Sequence, residues 1–247
     1  MKPVIFLLAM LMSLHAGQIR VAVAANVSYA IDDLIAAFHR HYPGIRVEVQ
    51  PGSSGKLTAQ IMHGAPYDLF MSANMRYPLA LYRKGIAVTR PMVYAQGALA
   101  LFSAKARDLS GGFDLLTDPA IGRIAIANPQ TAPYGKATVE ALQKRGIFDR
   151  LKPKLIYGES ISQTMVYAMK AADIGIVAAS SRYAPKLSRY DDDRHWQRLD
   201  VADYTPIDQG IVLLKHADSN PDAAAFYAFI FSHDAEAIFR KYGYRIP

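Results

Sequence analysis

IRVEVQPGSSGKLTAQI, residues 45 to 61, passes from a strand pattern to a helix pattern through a turn of small residues. Ile45 to Val49 is a short run rich in β-branched residues, which favours a strand, and a helix is expected after Gly55. The turn, Gly52-Ser53-Ser54-Gly55 followed by Lys56, has the look of a phosphate cradle. A Walker loop needs glycine, four residues, then Gly-Lys-Ser or Gly-Lys-Thr. Here Gln50 stands where the first glycine belongs, and Leu57 replaces the hydroxyl that would reach magnesium. The turn therefore suits something smaller than a nucleotide.

Three further turns are of the same kind. IRVAVA (Ile19 to Ala24) ends in Ala25-Asn26-Val27-Ser28, RIAIA (Arg123 to Ala127) ends in the loop Asn128 to Gly135, and KLIYG ends in Glu159-Ser160-Ile161-Ser162-Gln163. Other candidate strands are Tyr67 to Ser72, Ala98 to Ser103, Lys154 to Tyr157, Ile174 to Ala179 and Ile207 to Leu214. Helices are expected between them, for example Ser28 to Tyr42, with Ala30, Leu34, Ala37 and Phe38 on one face, and Lys136 to Arg145. This alternation implies βαβ units and mostly parallel sheets. RPMVYAQG (Arg90 to Gly97) and VADYTPIDQG (Val201 to Gly210) look like crossings between two lobes.

A helix start leaves its first N–H groups without internal partners and carries the positive end of the dipole, so a strand-to-helix turn offers donors to an anion. In open α/β sheets such turns gather at the carboxyl edge, where ligands sit. Any one of them, alone, reads first as an ordinary N-cap.

The chain opens MKPVIFLLAMLMSLHAGQIR: one basic residue, an apolar run from Pro3 to Leu14, then Ala16 and Gly17. This is the pattern of a secretory signal, cut after Ala16. The run is too short for a permanent span. With no cysteine, an exported chain must rely on its core, and it lacks the residue a lipoprotein would acylate, which favours a free periplasmic protein. The formal charge is +7, or +6 once Lys2 leaves with the signal. The basic residues are scattered, which argues against nucleic acid.

Taken together, the stretches VAVAANVSYA, GSSGKLTAQIMHGAPYDLFMSAN, IANPQTAPYG, ESISQTMVYA and IFRKYGY resemble the molybdate-binding proteins of bacterial ABC importers, through almost the whole mature chain. The resemblance implies an α/β, two-lobed type II periplasmic-binding fold, each lobe a mixed, mostly parallel sheet flanked by helices, with a two-strand hinge. Lobe I would comprise residues 17–94 and 206–247 and lobe II residues 95–205, after a signal peptide at 1–16. It also implies a monomer that holds molybdate, and tungstate with it, in the cleft and presents it to a membrane permease, with no cofactor. Carried over by position, Ala25 and Asn26 lie on the first loop, Asn26 offering its amide and N–H. Ser54 offers hydroxyl and N–H, and Tyr134 and Ile161 offer backbone N–H groups. Relatives often have serine at Asn26 and a tyrosine at Ala178, so the cage here is expected to lack that phenol. Lys56 and Glu159 are expected to lie outside it.

An enzyme is disfavoured. The seven histidines are dispersed, and no HExxH, GxSxG or cysteine-based metal motif occurs. Asp191-Asp192-Asp193 reads as a solvated loop because no regular spacing of oxygen ligands follows. A ferric carrier, suggested by fifteen tyrosines, would want adjacent tyrosines, and no Tyr-Tyr pair occurs. Trp196 reads as packing. Another oxyanion such as sulfate is a closer alternative.

Overall fold

Strands that are apolar on both faces belong at the centre of a covered sheet, and this chain builds two such sheets. The computed structural model describes residues 17–190 and 193–247. The expected signal at 1–16, and Asp191 and Asp192 of the acidic run, lie outside the described residues. The strands are β1 (Gln18–Ala24), β2 (Arg46–Gly52), β3 (Leu69–Ser72), β4 (Met92–Gly97), β5 (Leu99–Phe102), β6 (Ile124–Ala127), β7 (Leu155–Gly158), β8 (Ile174–Ala178), β9 (Trp196–Arg198) and β10 (Ile207–Leu213). The helices are α1 (Ile31–His41), α2 (Ser54–Met62), α3 (Arg76–Arg83), α4 (Gly112–Leu115), α5 (Pro133–Lys144), α6 (Phe148–Leu151), α7 (Ile161–Lys170), α8 (Pro221–Phe229) and α9 (His233–Lys241).

The first sheet has the order β2-β1-β3-β10-β4 and the second β7-β6-β8-β5-β9. In each, the first three strands are parallel and one reversed strand, β10 or β5, pairs antiparallel on both sides. The sheets are thus mixed, with all strands but one in each pointing the same way. The chain leaves the first sheet at the end of β4 and returns to it at β10.

Both faces of each sheet are covered. Phe38 of α1 meets Phe226 and Phe229 of α8 edge to face, with centroids 5.0 and 5.4 Å away. On the opposite face Leu57, Ile61 and Leu81 of α2 and α3 pack with Phe70 and Val212. In the second sheet Leu101, Ile124 and Ile126 pack with Phe113, Leu142 and Leu151. Its other face holds Phe102, Met165, Ala168 and Trp196.

Local expectations change at several helix starts: α2 and α5 begin at Ser54 and Pro133, ahead of the expected starts after Gly55 and at Lys136. The helix expected from Ser28 begins at Ile31, after a 3-10 turn at Val27–Tyr29. The cause is visible: the Ser28 hydroxyl donates to Ala25 O at 2.6 Å and Ala30 N–H to Val27 O at 2.9 Å, which tightens the turn. Trp196 is both core packing and the first residue of a strand, β9, too short for any periodicity to show.

β1 lies between β2 and β3 while the chain runs β1, β2, β3, so the strand order reverses at β1; β6 sits likewise between β7 and β8. Ladders end at Ala24↔Gly52 and Ala127↔Gly158. These are the carboxyl ends that feed the four turns.

Candidate functional site

The ends of β1, β2, β6 and β7 meet across one small cavity. It is lined by Ala24, Ala25, Asn26, Gly52, Ser53, Ser54, Ala73, Ala132, Pro133, Tyr134 and Ile161. All five residues proposed from sequence are therefore in one place. The space open to the centre of a water-sized sphere is about 10 Å³, near the minimum for one buried water. Only a compact molecule fits, and no charged side chain lines it.

Each residue enters by the geometry of its turn. Ser54, Tyr134 and Ile161 stand at the first or second position of α2, α5 and α7, where helical N–H groups have no internal acceptor. Among the described residues, the N–H groups of Asn26, Ser54, Tyr134 and Ile161 find no acceptor in the protein. The Ser54 hydroxyl oxygen accepts from Ala73 N–H at 2.9 Å, which leaves its proton to donate elsewhere. Ser53, N-cap of α2, makes no side-chain cap bond, and its buried hydroxyl has no partner.

The first loop departs in detail from its expected chemistry. Ala25 N–H goes to Gly52 O at 2.9 Å and so continues the β1–β2 ladder. Ala25 meets the cavity through its apolar surface. The Asn26 amide, expected to face an anion, donates from Nδ2 to Gln209 Oε1 and to Tyr244 Oη, both at 2.8 Å. Gln209 Nε2 in turn donates to Ile207 O at 2.8 Å, which fixes both amide orientations. Asn26 Oδ1 is buried without a donor. The backbone N–H is thus the donor that Asn26 has free.

Burial, the leading cause, holds the Tyr134 and Tyr244 phenols above the ordinary tyrosine value. Both stay protonated at neutral pH. Ala178 is buried at the end of β8 and does not line the cavity.

Lys56 and Glu159 lie outside the cavity and pair with each other, Nζ to Oε1 at 2.6 Å, both half-exposed. That bond joins α2 to the turn before α7. Other bonds cross the same gap: Gly55 N–H to Thr131 O at 2.8 Å, and Tyr77 Oη to Gln130 O at 3.3 Å. Gly55 is required by this approach, since a Cβ would lie 2.9 Å from both Thr131 Cα and Thr131 O.

Sequence reasoning did not single out Ser53, Gln209, Tyr244, Ser162 or Ser180 as part of this assembly. Ser53 and Ser162 were in quoted turns, and Tyr244 in the quoted C-terminal stretch. No local signal distinguished their hydroxyls from ordinary caps or packing. Among the described residues, no group of three or more His, Cys, Asp or Glu is placed to hold a metal ion, and no helix is long and apolar enough to cross a membrane.

The profile of the family described as bacterial extracellular solute-binding protein matches residues 19–245. The chain is 37% identical over 232 residues to the molybdate-binding protein ModA of Rhodobacter capsulatus, covering 93% of this chain and 88% of the relative. It is 34% identical over 233 residues to ModA of Azotobacter vinelandii, covering 93% and 90%. The solved periplasmic molybdate-binding protein of Azotobacter vinelandii superposes with a TM-score of 0.85 at 30% identity, covering 93% of this chain and 99% of that one.

Proposed function

The chain belongs to the bacterial extracellular solute-binding proteins, among the relatives of the molybdate-binding components of importers, and from that membership we propose that it binds molybdate in this cavity and delivers it to a membrane permease. The observation that carries the reading is the convergence of four unpartnered N–H groups, at Asn26, Ser54, Tyr134 and Ile161, with the Ser54 hydroxyl on an uncharged cavity. Such donors stabilise an anion without a cation beside it. At about 1.5 to 3 kcal/mol each, five donors give about 7 to 15 kcal/mol. Micromolar to nanomolar binding needs about 8 to 12 kcal/mol.

Tungstate, equal in charge and nearly equal in size, binds the same donors. The protein works as a monomer in the periplasm, exported by the segment at 1–16, and it is not an enzyme. Lobe I is taken as 17–94 and 206–247 and lobe II as 95–205. The ends of β4 and β10 form the hinge, and the ligand shifts the population toward the closed cleft.

Calorimetric titration of the mature protein with molybdate, tungstate, sulfate, phosphate and ferric citrate tests this. Heat from the two metal oxyanions and none from ferric citrate is expected; saturation by ferric citrate with no response to molybdate would remove the reading. The phosphate arm also reports on Asn26 Oδ1. Phosphate carries a proton that needs an acceptor, so binding comparable to molybdate would mean that this oxygen or the unpartnered Ser53 hydroxyl takes it.

Ser54→Ala removes one hydroxyl donor and is expected to weaken molybdate binding by about 1 to 3 kcal/mol. Unchanged affinity by calorimetry would take Ser54 Oγ out of the site. The absence of charged side chains from the cavity lining carries a second expectation. Neither a histidine nor a carboxylate in contact with the anion changes charge, so the dissociation constant for molybdate stays level from about pH 6 to pH 9. A tenfold drift across that range would contradict an uncharged cage.

A further inference from the structure

Two consecutive carbonyls of the first loop are gripped from the other side of the cleft. Ala25 O accepts from the Ser162 hydroxyl at 2.9 Å, as well as from Ser28. Asn26 O accepts from the Ser180 hydroxyl at 3.1 Å and from the Tyr244 phenol at 2.9 Å. Ser162 is on α7 and Ser180 follows β8, so both belong to the second sheet's half. Tyr244 follows α9 and packs in the first sheet's core. Asn26, Ser180 and Tyr244 are at least 95% buried, at 1%, 4% and 5% exposure.

The geometry has a direction. In a trans peptide the C=O and the next residue's N–H point opposite ways across a rigid plane. The bonds that hold Ala25 O therefore fix where Asn26 N–H points, and that N–H is one of the free donors on the cavity. Tyr244 adds a second constraint, because one hydroxyl both accepts from Asn26 Nδ2 and donates to Asn26 O. That pairing locks the side chain of Asn26 to its own backbone, with Gln209 holding the other amide proton.

We propose that Ser162, Ser180 and Tyr244 are positioning residues, a clasp on the Ala25–Asn26 turn: Tyr244 holds the turn within the first half, and closure of the cleft brings Ser162 and Ser180 onto its two carbonyls, the Ser162 bond aiming the Asn26 N–H at the anion. None of the three needs to touch the ligand. The proposal rests on the anion-binding reading of this cavity. It adds that the second half of the protein orients donors of the first as well as contributing its own.

The Ser162 and Ser180 bonds form as the cleft shuts, so they act on escape more than on entry. Ser162→Ala and Ser180→Ala are each expected to raise the molybdate dissociation rate about tenfold in stopped-flow displacement, with the association rate within about twofold of wild type. Ser162→Thr, which keeps the hydroxyl, restores the slow rate. A packing defect alone would lower ligand-free thermal stability without this split or this rescue. A readout without ligand accompanies the kinetics: Tyr244 and Asn26 lie in the same half, so Tyr244→Phe should speed hydrogen exchange at the Ala25 and Asn26 amides in ligand-free protein. If wild type binds none of the oxyanions but Tyr244→Phe still speeds that exchange, the ligand assignment fails and the positioning role stands. Wild-type dissociation rates in both serine variants, or wild-type exchange in Tyr244→Phe, would overturn the clasp.

Discussion

Ile161→Pro is expected to weaken molybdate binding about a hundredfold and leave the fold intact, whereas Ile161→Ala keeps the affinity within about threefold. Both variants lose the isoleucine side chain, and only proline also replaces the backbone proton, by a ring carbon. Ile161 is the first residue of α7, the helical position where proline is tolerated because its N–H has no helical acceptor in any case. The preceding Ser160 is extended, at φ −135° and ψ 166°, which is what a residue before proline prefers. Its side-chain bond to Gln163 N–H at 3.2 Å is untouched.

What proline removes is therefore the donor, and the ring carbon put in its place also intrudes on the cavity. Alanine keeps that donor. Ile161 is 4% exposed within the second core, so losing its side chain is expected to destabilise either variant by about 2 to 5 kcal/mol, while alanine leaves the N–H where it was. Calorimetry and thermal melts on both variants separate the two effects. Equal affinities for the proline and alanine variants would show that the main chain of residue 161 does not bind the anion.

This contrast also marks where sequence reading stops. Nothing in an isoleucine's chemistry suggests an anion contact, and Ile161 entered only through the resemblance of its loop. The turns themselves were legible because their signals are local: β-branched runs such as Ile124–Ala127, then small polar residues where a helix begins. Local signals also place most strand ends within a few residues, as at Leu69–Ser72 against an expected Tyr67 start. What remained hidden depends on partners far apart in the chain. Ser162 reaches Ala25 across 137 positions and Tyr244 reaches Asn26 across 218, and periodicity carries no information at that range. The same distance explains the Asn26 amide: its acceptor, Gln209, is 183 residues away, so sequence could offer the amide to an anion but could not see that the protein uses it.

Gly135→Ala is expected to lose stability and anion affinity together. Gly135, at the third position of α5, is buried, and a Cβ there would lie 2.1 Å from Ala127 O, 2.6 Å from Ala127 C and 2.9 Å from Asn128 C. All three atoms are backbone at the end of β6, which no rotamer change can move. Either the helix start or the strand end must shift, at about 3 kcal/mol or more, the upper part of the range for overpacking. In a protein of this size that lowers the melting temperature by about 6 to 12 °C. The shift also carries function, since the displaced turn holds Tyr134 N–H one residue earlier, and anion affinity is expected to fall together with stability. Gly44→Ala is the matched control: nothing lies within 4 Å of its Cβ, so it should melt and bind as wild type does. A Gly135→Ala protein with wild-type melting temperature and affinity would mean that α5 can back away from β6 freely, and a donor on so loose a helix could not be held at the geometry that anion binding by uncharged groups demands.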